Sequence, residues 1–128
     1  MRHELLIIGA GPAGVSAALY AKRANIDTGI IYLKDTALNT AHMIDNYYGL
    51  AHIKGSELFE KGLRQCQDFD IALYEEEVID INWDEDFKVV TTKGEHFAKS
   101  LILASGAKRN VPKIKNYKEY EGRGLSYC

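Results

Sequence analysis

The stretch that decides the fold is LLIIGAGPAG, residues 5–14. Its four consecutive apolar residues predict a parallel strand that is buried on both faces of a sheet. The glycines that follow have the spacing GxGxxG, and they open a helix-forming segment from Pro12 to Arg23. A second apolar segment, Thr28 to Leu33, completes a unit of strand, helix and strand. These residues therefore predict an α/β fold with a right-handed crossover.

The glycine turn predicts a binding site for the pyrophosphate of a dinucleotide. Gly9 permits the tight turn, Gly11 lets a phosphate approach the backbone, and Gly14 lets the helix pack close to the strand. The N-terminus of the helix offers free N–H groups and a partial positive charge. A turn that merely connects two elements is the alternative. The candidate contacts are all six residues of the turn: Gly9, Ala10, Gly11, Pro12, Ala13 and Gly14.

The adenosine ribose is usually bound by an acid at the end of the second strand. That place is occupied here by Tyr32, Leu33 and Lys34, and Asp35 is the nearest carboxylate. The ribose contact is therefore expected from the backbone at Leu33, from Lys34 or from a displaced Asp35. This departure weakens an NAD interpretation, and an exposed lysine is favoured over a 2′-phosphate site at Lys34.

The middle of the chain predicts a long functional loop and a second helix. Residues 34–54 have no clear hydrophobic period, and connections of this length usually carry function. Ser56 is expected to cap a helix that runs to about Asp68. Cys66 lies near its apolar face and is expected to be a packing residue.

The remaining segments read as short strands. A strand is predicted at Ile71–Tyr74, and a β-meander that covers one face of the main sheet is predicted next. A last buried strand is predicted at Leu101–Ala104, breaking at Ser105 and Gly106. The segments of the meander are Val78–Trp83, Phe87–Thr92 and the region near Phe97.

Composition and charge narrow the class of partner. A net charge of −2 and a pI near 6.1 provide no broad positive field, so a small molecule is expected and neither nucleic acid nor a membrane is. The chain lacks an apolar run of the roughly 20 residues that cross a bilayer, and a cytoplasmic location is expected. Its two cysteines argue against a secreted disulfide scaffold. No metal site is predicted.

Three further segments carry a family resemblance. Residues 101–106, LILASG, resemble the strand and Ala-Thr-Gly turn of flavoproteins with two dinucleotide-binding domains, with Ser105 in place of threonine. Residues 44–49, IDNYYG, and residues 121–128, EGRGLSYC, resemble the (I/V)ENxxG loop and the GxGVSxC segment of low-molecular-weight thioredoxin reductases. These are FAD-dependent pyridine nucleotide-disulfide oxidoreductases. The resemblance implies a Rossmann-like FAD/NAD(P)-binding fold with a central parallel sheet and a β-meander on one face, here incomplete.

The resemblance also implies roles for individual residues. Asn46 would lie at the flavin, and the backbone near Glu77 and Val78 would bind the adenine. Cys128 would be the first redox-active cysteine; a structural thiol or an ordinary chain end is the alternative. The central part of the cofactor would be contacted by Ala104, Ser105 and Gly106.

The resemblance further implies what a longer parent enzyme would do. Residues 1–115 would form the N-terminal part of an FAD-binding domain, and residues 116–128 a linker toward an NADPH and redox domain. Electrons would pass from NADPH through FAD to the disulfide of a small thioredoxin-like protein. One cysteine cannot complete thiol–disulfide exchange, so the 128 residues alone are expected to show no turnover with NADPH and a disulfide substrate. An exposed apolar face is expected to favour a homodimer.

Two alternatives stay open. Some relatives of this family take electrons from ferredoxin, and a second GxGxxG followed by basic residues would indicate NADPH instead. A stand-alone module that binds FAD or ADP without catalysis is the alternative from another functional class. Titration with ADP and FAD would distinguish such a module from a chain that binds neither.

Overall fold

The computed structural model describes residues 1–108 and 110–126, which form one α/β unit. The described helices are α1 (Pro12–Arg23), α2 (Gly55–Asp68) and the single turn α3 (Tyr117–Tyr120), with a 3-10 turn at Ala37–Thr40. None of these helices has the length and apolar character needed to cross a bilayer. The strands are β1 (Arg2–Ile8), β2 (Thr28–Tyr32), β3 (Ala72–Glu75), β4 (Val78–Trp83), β5 (Phe87–Thr91) and β6 (Gly94–Leu103).

The strands form one six-stranded sheet in the order β3-β2-β1-β6-β5-β4. Strands β3, β2, β1 and β6 run parallel, whereas β5 and β4 continue from β6 as an antiparallel meander. The central parallel sheet and the meander are therefore confirmed. The predicted third meander strand and the predicted last strand are a single strand, because β6 pairs with β5 over Gly94–Ala98 and with β1 over Phe97–Leu103.

The two edge strands of this sheet are joined by only two residues. Strands β3 and β4 lie at opposite edges, yet Glu76 and Glu77 are the whole connection between them. Three peptide steps span at most about 11 Å, so the sheet must curl until its edges meet. The meander consequently folds over one face of the parallel strands, where Val89 and Ala98 pack with Leu6 and Ile31.

Helices α1 and α2 cover the other face. Their buried side chains include Val15 and Ala18 of α1 and Phe59 and Leu63 of α2, which pack in one apolar cluster. Cys66 is fully buried in that cluster, as the apolar period of the helix predicted. Burial raises the pKa of its thiol to about 11, so the thiol is inert toward exchange at neutral pH.

Two local predictions are wrong. Ser56 does not cap α2; the N-cap is Lys54 and makes no side-chain bond, and the helix starts at Gly55. A Cβ at Gly55 would lie 1.8 Å from the carbonyl oxygen of Leu38, so close packing of the preceding loop sets the helix start.

The end of β6 is not buried, since Ile102 and Leu103 are 38% and 68% exposed. This half of β6 pairs with β1 on one side, while β5 pairs only with the first half of β6.

Candidate functional site

The glycine turn lies where the carboxyl ends of three parallel strands meet. The N–H of Gly9 donates to the carbonyl of Ile31 at 2.8 Å, and the N–H of Ala104 donates to the carbonyl of Ile8 at 2.8 Å. The turn after β1 is therefore held between the ends of β2 and β6. Because β2 and β6 lie on opposite sides of β1, this is a switch point of the sheet, the place where open α/β sheets bind ligands.

Two of the three motif glycines are required by the packing of the protein itself. Gly9 has φ +110°, and a Cβ there would lie 2.2 Å from the carbonyl oxygen of Ala104. A Cβ at Gly14 would lie 1.9 Å from the carbonyl oxygen of Gly9. Gly14 thus lets α1 approach the turn, and Gly9 lets the turn approach the end of β6. Both would be needed even in a turn that binds nothing.

Gly11 is different, because the fold does not require it. Its φ of −70° suits any residue, and a Cβ there would meet no atom within 4 Å. Gly11 is the N-cap of α1, which has no side-chain cap and no acidic residue in its first turn. The helix N-terminus therefore faces open space that a side chain would fill. These residues fit a diphosphate, whose oxygens accept bonds from such an N-terminus.

The end of β2 carries an ion pair that sequence reasoning missed. Lys34 Nζ lies 3.2 Å from Glu75 Oε2, and this hydrogen-bonded pair raises the pKa of Lys34. Burial raises the pKa of Tyr32, with Glu75 as the next cause. Glu75 reaches this place because it is the register partner of Tyr32 on the neighbouring strand. Leu33 is half-exposed here, so the candidate ribose contacts now include Glu75 as well as Lys34 and Asp35.

The connection between β3 and β4 lies at the same edge. The N–H of Glu76 donates to the carbonyl of Tyr32, the last residue of β2, at 3.0 Å. The carbonyl of Glu77 accepts from Thr92 N–H at 2.9 Å, while Val78 is paired with Thr91. In an antiparallel ladder, the pair next to a hydrogen-bonded pair points its N–H and C=O away from the partner strand. Val78 therefore directs a backbone donor and acceptor away from β5.

The long loop predicted at residues 34–54 closes on itself. Ile44 and Ile53 exchange two backbone hydrogen bonds of 2.8 and 3.2 Å, and Leu50 N–H donates to Tyr47 at 3.1 Å. Tyr47 and Leu50 line a cavity of about 530 Å³ between α1 and α2. Asn46 is exposed and does not line this cavity. Its neighbour Tyr47, which sequence reasoning did not single out, lines the same cavity as Ala10, Gly11 and Pro12.

The cavity and the predicted contacts overlap at one place only. Ala10, Gly11 and Pro12 line the cavity. Lys34 and the turn at 104–106 lie outside it, beyond the carboxyl ends of β2 and β6, and Val78 lies outside it, three residues after the carboxyl end of β3. We place the site along the carboxyl ends of these strands, because the glycine turn is bonded there to the end of β2 and borders the end of β6, and the β3–β4 connection is bonded to the end of β2. Cys128 lies outside the described residues.

Comparison with known proteins gives consistent matches. The family described as pyridine nucleotide-disulphide oxidoreductase matches residues 3–128. A thioredoxin reductase of Aquifex aeolicus is 39% identical over 98% of this chain and 41% of its own length. The atypical thioredoxin reductase of Desulfovibrio vulgaris Hildenborough has 41% identity and a TM-score of 0.76, with 98% of this chain and 43% of that one covered.

A ferredoxin-flavin thioredoxin reductase of Clostridium acetobutylicum has 31% identity and a TM-score of 0.76, covering 100% of this chain and 45% of that one. The chain thus spans about two fifths of the length of the relatives it matches.

Proposed function

The chain belongs to the pyridine nucleotide-disulphide oxidoreductase family, and from that premise we propose that it binds FAD as the N-terminal part of a thioredoxin reductase-like enzyme. The observation that carries the proposal is Gly11, a glycine that the fold does not need and whose missing side chain leaves the N-terminus of α1 open. In this proposal the turn at residues 9–14 binds the pyrophosphate. Ala104, Ser105 and Gly106 border it from β6.

The two ends of the cofactor are assigned on separate grounds. The outward backbone of Val78 supplies the donor and acceptor that an adenine ring needs. Leu33, Lys34, Asp35 and Glu75 are the candidates for the ribose, with Asn46 and Tyr47 the candidates for the flavin end. Bound FAD would supply the two-electron redox chemistry, and the residues named here bind and orient it.

The role of the whole protein is a further part of the proposal. Residues 1–115 form part of the FAD-binding domain, residues 116–128 lead toward a redox domain, and Cys128 is the first thiol of its pair. NADPH is the proposed donor and a thioredoxin-like protein the proposed substrate. The ferredoxin-flavin thioredoxin reductase is 31% identical to this chain, whereas the two thioredoxin reductases described above are 39% and 41% identical, so ferredoxin is not favoured as donor. A homodimer in the cytoplasm completes the proposal, and solution scattering tests the dimer.

FAD binding is tested by adding a side chain at each end of α1. Gly11→Val adds a side chain in the open space before the helix, where its Cβ meets no protein atom within 4 Å. Ala24→Val adds bulk at the exposed C-cap of the same helix. Flavin fluorescence is measured while FAD is titrated into the chain and both variants. We expect the chain and Ala24→Val to bind FAD. Gly11→Val is expected to bind at least tenfold more weakly, because the added side chain keeps the pyrophosphate from approaching the backbone.

Two results would contradict the proposal. The chain could fail to bind either FAD or ADP, or Gly11→Val could bind FAD as tightly as the chain does. A thermal unfolding curve for Gly11→Val shows whether the variant is folded. We expect its midpoint to match that of the chain, since the added side chain meets no protein atom within 4 Å at its Cβ.

A further inference from the structure

A buried polar cluster adjoins the two-residue connection between β3 and β4. One carboxylate oxygen of Glu76, Oε2, accepts from the hydroxyl of Thr91 at 2.6 Å and lies 2.7 Å from Nε2 of His96. The side chains of His96 and Glu76 are only 6% and 12% exposed. The ring of Tyr74 packs on the ring of His96 with centroids 4.4 Å apart. We call Glu76, Thr91 and His96 the Glu76 cluster.

The protonation of the Glu76 cluster follows from its bonds. An ionised carboxylate only accepts, so Nε2 of His96 carries the hydrogen and donates it. The other ring nitrogen, Nδ1, is buried without a hydrogen-bond partner among the described residues. Burial by itself would raise the pKa of Glu76. The hydrogen bonds that Glu76 accepts from Thr91 and His96 act in the opposite direction, and the pKa of Glu76 is lowered. The fold therefore keeps a charge and an unsatisfied nitrogen in a place where apolar packing would cost less.

The Glu76 cluster holds the connection between β3 and β4 in place, because Glu76 itself lies outside the strands. Glu76 is the residue between β3 and Glu77, and its partners stand on β5 and β6. The same connection is held through its backbone: Glu77 N–H donates to Thr92 Oγ1 at 3.3 Å, and Lys93 Nζ donates to the carbonyl of Glu75 at 2.8 Å. Side-chain and backbone contacts thus converge on the three residues that precede Val78.

We propose that Glu76, held by Thr91 and His96, is a positioning residue for the adenine end of the cofactor. It does not touch the ligand. It holds the connection so that the outward N–H and C=O of Val78 stand where an adenine ring can bond to both. The inference rests on the proposed FAD site, and it adds that recognition of the base depends on a carboxylate two residues away.

The test uses two nucleotides that differ only in the base. Adenine presents an amino donor beside a ring-nitrogen acceptor, whereas hypoxanthine presents an oxygen acceptor beside an N–H donor. The reversed pattern cannot bond to the same backbone pair, so the chain is expected to bind ADP about tenfold more tightly than IDP. Both dissociation constants are measured by calorimetry for the chain, Glu76→Ala, Glu76→Gln and the control Glu85→Ala. Glu85 is an exposed carboxylate in the turn between β4 and β5.

The variants are expected to separate positioning from general loss of structure. Glu76→Ala should lose most of the preference for ADP over IDP, and Glu85→Ala should keep it. Glu76→Gln should restore most of the preference, because one amide oxygen can replace the carboxylate oxygen that accepts both bonds. If Glu76→Ala does not fold, His96→Phe keeps the ring that packs on Tyr74 and removes the donor, and the same loss of preference is expected.

Three outcomes are distinguishable. A chain that binds neither FAD nor ADP overturns the proposed function itself. A chain that binds ADP and IDP equally, or a folded Glu76→Ala or His96→Phe that keeps the full preference, overturns only the positioning role. Loss of the preference in Glu76→Ala with its return in Glu76→Gln supports the inference.

Discussion

The two faces of the sheet are stabilised by different physical means. The face under α1 and α2 is mainly apolar, with side chains such as Ile7, Ile30 and Leu63 in a single cluster. The face under the meander also has an apolar center, but it is bordered by buried polar side chains, among them His3, Tyr74 and His96. The first face depends on the area removed from water, which changes little with pH. The second depends also on hydrogen bonds to the carboxylate of Glu76, whose pKa is lowered in the fold.

Because of this difference, the two parts of the proposed site are positioned by different kinds of contact. Close packing on the helix face helps to set the position of the glycine turn, because Gly14 lets α1 lie directly against the carbonyl of Gly9. Hydrogen bonds on the meander face set the position of the β3–β4 connection. We therefore expect changes on the first face to lower stability at every pH, and changes on the second to act mainly where the carboxylate is ionised.

The largest effect is expected from a cavity on the helix face. Phe59 is buried between α2 and the sheet, so Phe59→Ala should lower the free energy of unfolding by about 3–5 kcal/mol. Phe69, at the end of the same helix, is 47% exposed, and Phe69→Ala should change it by less than about 0.5 kcal/mol. Urea denaturation of both variants measures the difference. Equal losses would contradict the assignment of the core.

A smaller, pH-dependent effect is expected from Glu76 on the meander face. Its pKa in the folded chain lies below the ordinary value, so the ionised form stabilises the fold above that value, and this stabilisation is lost as pH falls through the folded pKa. Glu76→Gln should cost about 1 kcal/mol at pH 7 and progressively less below pH 4. His96, Thr91 and Lys93 are the groups that surround this carboxylate. Phe59→Ala should show the same loss at both pH values, and urea midpoints across the pH range test the contrast.

The loss of a tyrosine hydroxyl can be compared on the two faces, at Tyr74 and at Tyr32. The hydroxyl of Tyr74 lies 2.7 Å from Nε2 of His3, so Tyr74→Phe breaks a partly buried hydrogen bond and should cost about 1 kcal/mol. Tyr32 packs its ring near Phe59 on the helix face, and Tyr32→Phe should cost less. A larger loss for Tyr32→Phe in urea denaturation would reverse the contrast drawn between the two faces.

The smallest effect is expected at the surface ion pair. The side chain of Lys34 is 59% exposed, and salt screens its interaction with Glu75. Lys34→Ala should leave the unfolding midpoint unchanged within error, at both low and high salt. If Lys34→Ala lowered the unfolding midpoint at low salt but not at high salt, the ion pair with Glu75 would contribute to stability. The end of β2 would then be more rigid than this exposed contact indicates.

Most local features of the fold and the central parallel sheet with its meander were predictable from the sequence, whereas contacts set by the register of distant strands were not. The helix Pro12–Arg23 was placed correctly, because its start, period and glycine turn are all recorded within neighbouring residues. Glu75 was missed at the end of β2, because its position depends on the register between two strands more than 40 residues apart. The Glu76 cluster was missed for the same reason, since its members come from three separate parts of the chain.

Ser56 was given the wrong role because a good capping residue is a local signal. In this chain the start of α2 is determined by packing against the preceding loop instead. Gly55 carries the actual start of α2, and its need for glycine comes from Leu38, 17 positions earlier. Likewise the exposure of Leu103 could not be foreseen from an apolar run, which predicts a strand but not how many neighbours it has.

The contact between Gly9 and Ala104 has a consequence for the timing of synthesis. The two residues, at positions 9 and 104, are near opposite ends of the chain, yet the backbone of one lies directly against the other. At about 5–20 residues per second, a ribosome needs roughly 5–20 s to add the second partner after the first. The glycine turn can form early, whereas Ala104, which lies directly against it, is added 95 positions later. A cofactor captured during translation would therefore have to wait until β6 has emerged and docked beside β1.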